Sequence, residues 1–127
     1  MKCLAFVAVV LASFAFPTHS VAQTKTGNDL LNECQVVTES NSDEAALLKG
    51  VQCVSYLRGM SQTFNIWQAF NESRKQANPA PVCVPNGVSG REMAMVVVKY
   101  IKDHPTTMHS PYSAVAFHAL ADSYPCK

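Results

Sequence analysis

The chain has 127 residues, with ten lysines and arginines, nine aspartates and glutamates, and a formal net charge of +1. A near-neutral balance without a basic cluster argues against a protein that binds nucleic acid or an anionic membrane surface. The length fits one ordinary domain once a targeting segment is set aside.

The first 22 residues have the layout of a secretory signal peptide. A basic start precedes an apolar run over residues 3–16, and Ser20-Val21-Ala22 places small residues at both positions of a signal-peptidase site. The apolar run is too short to span a bilayer core of about 30 Å. We expect cleavage before Gln23, which leaves residues 23–127 as one soluble exported domain without a membrane segment.

Two helices are predicted in the first half of this domain. The first is capped by Thr26 or Asn28, and the second begins at Ser42-Asp43-Glu44, with a cap and acids in its first turn. The second helix carries two adjacent apolar stripes: Leu47, Val51, Val54, Leu57, Ser61, Phe64 and Trp67, and beside them Cys53, Tyr56, Met60 and Phe70. Two stripes predict packing from more than one side. Gly59, which is unfavourable inside a helix, predicts close approach of another helix.

Two further helices are predicted after a polar, proline-rich loop over Asn71–Asn86. The third helix includes Val96-Val97-Val98, because its apolar spacing extends well beyond these residues and no second strand candidate exists. His104-Pro105 ends that helix, and Ser110-Pro111 starts the fourth as cap and first residue. The sequence thus predicts an all-α, disulfide-stapled bundle of four to five helices with a long central helix.

Four cysteines remain after removal of the leader, and we expect two disulfides. An even number in a small exported domain favours disulfides, and no close cysteine pair supports a zinc site. If consecutive helices form antiparallel hairpins, Cys34 pairs with Cys53 and Cys83 with Cys126. In the chain-entropy model these bonds contribute about 3 and 4 kcal/mol.

The segment His104-Pro105-Thr106-Thr107-Met108-His109 is the strongest candidate for a site. Two imidazoles and a thioether lie close together, but a full metal ligand set is missing. No cysteine or serine has an activating base nearby, and Glu92, Asp103 and Asp122 are isolated acids. We therefore predict no catalytic residues, no metal and no cofactor.

Four short elements resemble the Rap/Tai family of immunity proteins. Gly50-Val51-Gln52-Cys53-Val54-Ser55-Tyr56-Leu57-Arg58-Gly59 resembles the family's glycine-cysteine-tyrosine-glycine segment. Cys83-Val84-Pro85, followed by Val88, is similar to the second element, and the run from Val97 to His104-Pro105 is similar to the third. Ala119-Leu120 with Tyr124-Pro125-Cys126 resembles the closing element, with tyrosine where phenylalanine is commoner. The four elements occur in order and cover most of the mature chain.

The resemblance implies a small all-helical periplasmic protein that neutralises peptidoglycan-cleaving amidases delivered by type VI secretion. Members of the family occlude the toxin's active-site groove, often as dimers, so a cell-wall amidase is the expected partner, with a homodimer as a further possibility. Their toxin-contacting residues vary, and none is carried over. The alternative is a small periplasmic stress chaperone or a general helical binding module on the same framework.

A partner-facing role for the segment after the third helix is our hypothesis from the residues themselves. The contacts would come from His104, Thr107, Met108, His109 and Tyr112, with Pro105 and Pro111 limiting flexibility. A purely architectural helix end is an equally good interpretation. The Asn71–Pro81 loop is a rival contact surface.

Overall fold

The computed structural model describes residues 24–39, 43–75 and 80–126. The predicted signal peptide and the predicted cap Ser42 lie outside the described residues. Within them the chain forms four α-helices and no strand: α1 (Gly27–Thr38), α2 (Glu44–Ser73), α3 (Gly90–Asp103) and α4 (Tyr112–Ser123). A short 3₁₀-helix, Pro105–His109, joins α3 to α4. The predicted all-α, disulfide-stapled bundle is confirmed. None of the described helices is both long and apolar enough to cross a membrane.

Polar side chains fix where three of the helices begin. The backbone amide of Thr26 donates to the Asp29 carboxylate at 2.7 Å, which selects Thr26 over the other predicted cap of α1. Asp43 caps α2 by accepting from an amide of its first turn at 2.7 Å. At α3, the Ser89 amide donates to the Glu92 carboxylate at 2.6 Å, and the Glu92 amide donates to the Ser89 hydroxyl at 3.2 Å.

Two helix boundaries differ from the sequence prediction. The long helix α2 continues to Ser73, so the predicted loop begins three residues later than expected. The reason is packing: Asn71 is buried on the inner side of the last turn. At the other end of the chain, α4 begins at Tyr112, with Pro111 outside the helix in an extended conformation. The valine run in α3 is helical, as predicted.

Both predicted disulfides are present, Cys34–Cys53 and Cys83–Cys126. The first joins α1 to α2 and is fully buried. The second ties the segment before α3 to the residues after α4. A backbone hydrogen bond from the Cys83 amide to the Tyr124 carbonyl, 2.8 Å long, supports it. The predicted pairing of the four cysteines is therefore confirmed.

The core is built around α1, which packs against all three other helices. Its Leu30 and Cys34 are fully buried. They meet buried side chains from the other helices and from the segment before α3: Cys53, Leu57, Val82, Val97, Ile101, Val115 and Leu120. The short helix α1 is thus enclosed, while much of the longer α2 is not.

The apolar stripes of α2 are buried only along part of their length. Cys53, Leu57 and Ser61 face the core, but several large apolar side chains towards the two ends are exposed: Leu47, Leu48, Val51, Ile66, Trp67 and Phe70. A Cβ atom added at Gly59 would meet nothing within 4 Å. The expected close approach of another helix at Gly59 is therefore wrong for the part of the chain that the structure describes. The reason is that α1 and α3 cover only the opposite face of α2.

Candidate partner-binding site

His104 ends α3 and explains the start of the candidate segment. Its backbone amide donates to the carbonyls of Tyr100 and Ile101 at 3.0 and 3.2 Å. Its Nδ1 lies 2.9 Å from the Tyr100 carbonyl oxygen, and the two rings stack with centroids 4.5 Å apart. A carbonyl oxygen only accepts, so Nδ1 is the donor in this contact, and Nε2 is the ring nitrogen that the contact leaves available. His104 is therefore both a helix terminator and a polar group open to a partner.

Hydrogen bonds within the 3₁₀-helix give the segment a defined shape. The Thr107 amide and hydroxyl both donate to the His104 carbonyl, at 2.9 and 2.7 Å. The Ser110 amide then donates to the Thr107 carbonyl at 3.0 Å. Pro105 occupies the first position of the 3₁₀-helix, where a missing amide proton costs no hydrogen bond. The segment is a closed turn held together by hydrogen bonds between its own residues.

Residues 24–27, here called the N-terminal strap, hold this turn from outside. The Gly27 amide donates to the Ser110 carbonyl at 2.9 Å, and the Tyr112 amide donates to the Lys25 carbonyl at 3.0 Å. Between them, Thr26 and Pro111 form an isolated antiparallel bridge. The strap passes so close that a Cβ atom at Gly27 would overlap the Thr107 carbonyl oxygen. Glycine is therefore required there by space.

A buried carboxylate anchors the strap and the start of α4 together. Glu33 on α1 accepts from the Tyr112 hydroxyl and from the Lys25 ammonium group, each at 2.6 Å. Tyr112 also packs edge-on against Tyr56 of α2, with ring centroids 4.8 Å apart. Burial, and then the hydrogen bond and charge of Glu33, raise the pKa of Tyr112 well above its usual range. The tyrosine is a neutral donor, which suits a buried carboxylate.

The five predicted contact residues divide into two groups. His104 and His109 are exposed, and Thr107 is half-buried. Met108 is half-buried and packs against the core, while Tyr112 is buried with its hydroxyl on Glu33. The first group can present polar atoms to another protein, whereas the second fixes the segment to the bundle.

The described residues also bear on a possible metal site and on the Asn71–Pro81 loop as a contact surface. These contain no group of three or more histidine, cysteine, aspartate or glutamate side chains arranged to hold a metal ion. The rival Asn71–Pro81 surface is partly structural, because Asn71 is a buried residue in the last turn of α2 and Ala80 is also buried. Residues 76–79 lie outside the described part.

Two features of the site were missed from sequence. The strap is a backbone arrangement, and no side-chain pattern in residues 24–27 encodes its pairing with Pro111. Glu33 was overlooked because a single acid on a short helix usually faces solvent. The sequence did contain one indication that Glu33 is buried: it lies one turn after Leu30 and next to Cys34, and both of these residues are buried.

Comparison with known families decides the classification. The family model described as Rap1a immunity proteins matches residues 26–126, which is most of the chain. The chain belongs to this family. No curated protein and no solved structure gives a significant match. The range matched by the Rap1a model includes both disulfides, the 3₁₀-helix and the strap from Thr26 onward.

Membership of the Rap1a family draws attention to the surface of the chain. An immunity protein acts by binding a protein effector, so its surface has to offer a defined shape to a partner. In this Rap1a-family chain the turn at 104–110 is exposed at residues 104–106 and 109, flanked by Pro105 and Pro111, and tied to the bundle at both ends. It combines accessibility with a fixed conformation.

Proposed function

We propose that this protein is a periplasmic immunity protein that binds and inhibits a peptidoglycan amidase delivered by type VI secretion. The observation that carries the proposal is the exposed, pre-ordered turn at 104–110 in a chain of the Rap1a immunity family. The signal-peptide pattern and the two disulfides support the periplasmic location. In this account the mature domain begins at Gln23.

Inhibition follows from the shape of the turn and its polar atoms. A rigid turn loses little conformational entropy when it enters a concave active site. The His104 Nε2 takes no part in the contact with Tyr100, and His109 is exposed at the far end of the turn. These groups can pair with the polar side chains of a hydrolase active site while the turn excludes substrate. Tyr112 and Met108 act as anchors beneath the contact surface.

The test compares exposed histidines inside and outside the turn. His109→Ala removes a proposed contact, and His118→Ala removes an exposed histidine on α4 as a matched control. We expect His109→Ala, alone or combined with Thr106→Ala at a second exposed position of the turn, to weaken binding of the cognate amidase by about tenfold or more, since losing a central interface contact costs more than about 1 kcal/mol. His118→Ala should bind normally.

Two outcomes would count against the proposal. Unchanged affinity of the double variant, with unchanged thermal stability, would assign the turn to architecture alone. Failure of the wild-type protein to protect a strain that receives the amidase in its periplasm would contradict the immunity function itself. Both experiments use the mature domain with its disulfides formed.

A further inference from the structure

A pocket lies between α1, α2, the N-terminal strap and the start of α4. Its volume is about 470 Å³, within the range of about 300–1,000 Å³ that small-ligand sites occupy. The buried Glu33 and Tyr112 and the half-buried Tyr56 line it, together with the exposed Gln52 and Ser113. We call it the Glu33 pocket. It combines one buried carboxylate with two aromatic rings and is open to solvent.

The charge of the Glu33 pocket selects a cation as its ligand. Glu33 accepts from the Tyr112 hydroxyl and from the Lys25 ammonium group, each at 2.6 Å. Because the tyrosine is uncharged, the buried carboxylate needs a positive group beside it. An anion would be repelled. A metal ion would need further ligands, and the described residues contain no group of three or more histidine, cysteine, aspartate or glutamate side chains suited to one.

Lys25 of the N-terminal strap occupies this cation position in the free protein. Its ammonium nitrogen also lies 5.5 Å from the centre of the Tyr112 ring, within reach of a cation–π interaction. The Lys25 side chain is nevertheless 52% exposed, and the strap is held by backbone hydrogen bonds, so the side chain can turn into water while the strap stays in place. A second cation that replaces it keeps Glu33 paired, so the exchange leaves no unpaired buried charge.

The Glu33 pocket adjoins the proposed effector-binding surface. Pro111, which directly follows the turn at 104–110, is one of the residues that line it. We propose that the pocket receives one arginine side chain of the effector in exchange for Lys25, an inference that rests on the proposed immunity function. A guanidinium group suits the pocket better than an ammonium group, because it donates several hydrogen bonds in one plane and stacks on aromatic rings.

The first experiment tests the pocket without the effector. The probe is N-acetyl-arginine methylamide, and NMR titration of the mature protein measures its binding. The control ligand is N-acetyl-citrulline methylamide, which has a similar shape and no charge. We expect Lys25→Ala to bind the arginine probe about tenfold more tightly than the wild type, as for a lysine that occupies the site about 90% of the time. Equal binding of the two ligands by Lys25→Ala, or binding of neither, would overturn the proposal.

Two further variants separate the Glu33 pocket from general effects of charge. Lys99→Ala removes a lysine that pairs with Asp103 on the exposed surface of α3, and it should bind the probe as weakly as the wild type. Glu33→Gln keeps a carbonyl oxygen for the Tyr112 hydroxyl but removes the charge, so it should lose probe binding. A gain for Lys99→Ala equal to that of Lys25→Ala would contradict a site at Glu33.

The second experiment measures binding of the cognate amidase. If Lys25 only held the strap, its removal would loosen the turn and weaken binding. An arginine pocket predicts the opposite, a Lys25→Ala variant that binds the amidase about tenfold more tightly. Unchanged or weaker binding by Lys25→Ala, in a protein whose wild type binds the amidase, would contradict the arginine pocket alone. A wild type that binds no amidase would contradict the proposed function, and the probe titration does not depend on that result.

Discussion

The hydroxyl of Tyr112 donates a 2.6 Å hydrogen bond to the carboxylate of Glu33, which lies 79 residues earlier in the chain. This contact joins the enclosed helix α1 to the start of α4, directly after the exposed turn. Glu33 is only 7% exposed, and the Lys25 ammonium group provides its second partner. A buried carboxylate with two donors of this kind is tolerated and holds its surroundings in one geometry.

Replacing Tyr112 with phenylalanine should destabilise the protein. The change keeps the ring but removes one of the two donors to buried Glu33, which costs about 1–3 kcal/mol of unfolding free energy. Urea denaturation measures the loss. The control is Tyr124→Phe, which alters a tyrosine without a hydrogen-bonded hydroxyl among the described contacts. Equal losses in the two variants would contradict the role given to Glu33.

Stability should fall at alkaline pH for a reason specific to Tyr112. Burial and Glu33 raise the pKa of this tyrosine in the folded protein, while in the unfolded chain it stays near 10. The folded state therefore binds the proton more tightly. The resulting stabilisation is complete below pH of about 10 and is lost as the pH rises towards the folded-state pKa.

The alkaline effect is measured by repeating denaturation across a pH series. Tyr112→Phe should show a shallower loss of stability above pH of about 10 than the wild type. The unfolding free energy of the variant should still fall somewhat with rising pH, because burial also raises the pKa of Tyr56. Identical slopes for the wild type and the variant would refute the assignment to Tyr112.

Gly27→Ala should loosen the turn at 104–110. The added methyl group overlaps the Thr107 carbonyl oxygen, and relieving such a clash in a packed site costs about 1–3 kcal/mol. Hydrogen exchange at the amides of Thr107 and Ser110 should become faster. Gly59→Ala is the matched control, since its methyl group meets nothing in the chain and exchange at the turn should stay unchanged.

The two disulfides should differ in their resistance to reduction. Cys34–Cys53 is fully buried, whereas Cys83 and Cys126 are half-buried. A thiolate reductant must reach a sulfur atom, so Cys83–Cys126 should open first under native conditions. Alkylation followed by peptide mapping gives the order. Labelling of Cys34 before Cys126 would contradict it.

Local rules made much of the fold predictable from sequence. Helix caps, the stop at His104-Pro105 and the apolar spacing of α3 depend on neighbouring residues. The disulfide pairing followed once the helices were arranged as hairpins. The exposure of the two ends of α2 was not predictable. An apolar stripe has the same sequence pattern whether residues of the same chain or of another molecule cover it.

The candidate site was predictable only in its location. The segment itself was found from its prolines and histidines. The distinction between contact residues and anchors required the structure, because burial of Tyr112 depends on Glu33 and on the strap, which are distant in sequence. Gly27 looked like an ordinary residue near a helix start, and only the path of the turn beside it explains its identity.

The most direct test of the central claim is hydrogen exchange of the mature protein with and without its cognate amidase. The account predicts slowed exchange of amides in residues 104–110 in the complex, beyond the protection that the turn's own hydrogen bonds already give. The N-terminal strap should be affected less, because its Gly27 amide is already bonded to the Ser110 carbonyl in the free protein. Protection confined to other surfaces, with residues 104–110 unchanged in the complex, would contradict the claim that this turn binds the effector.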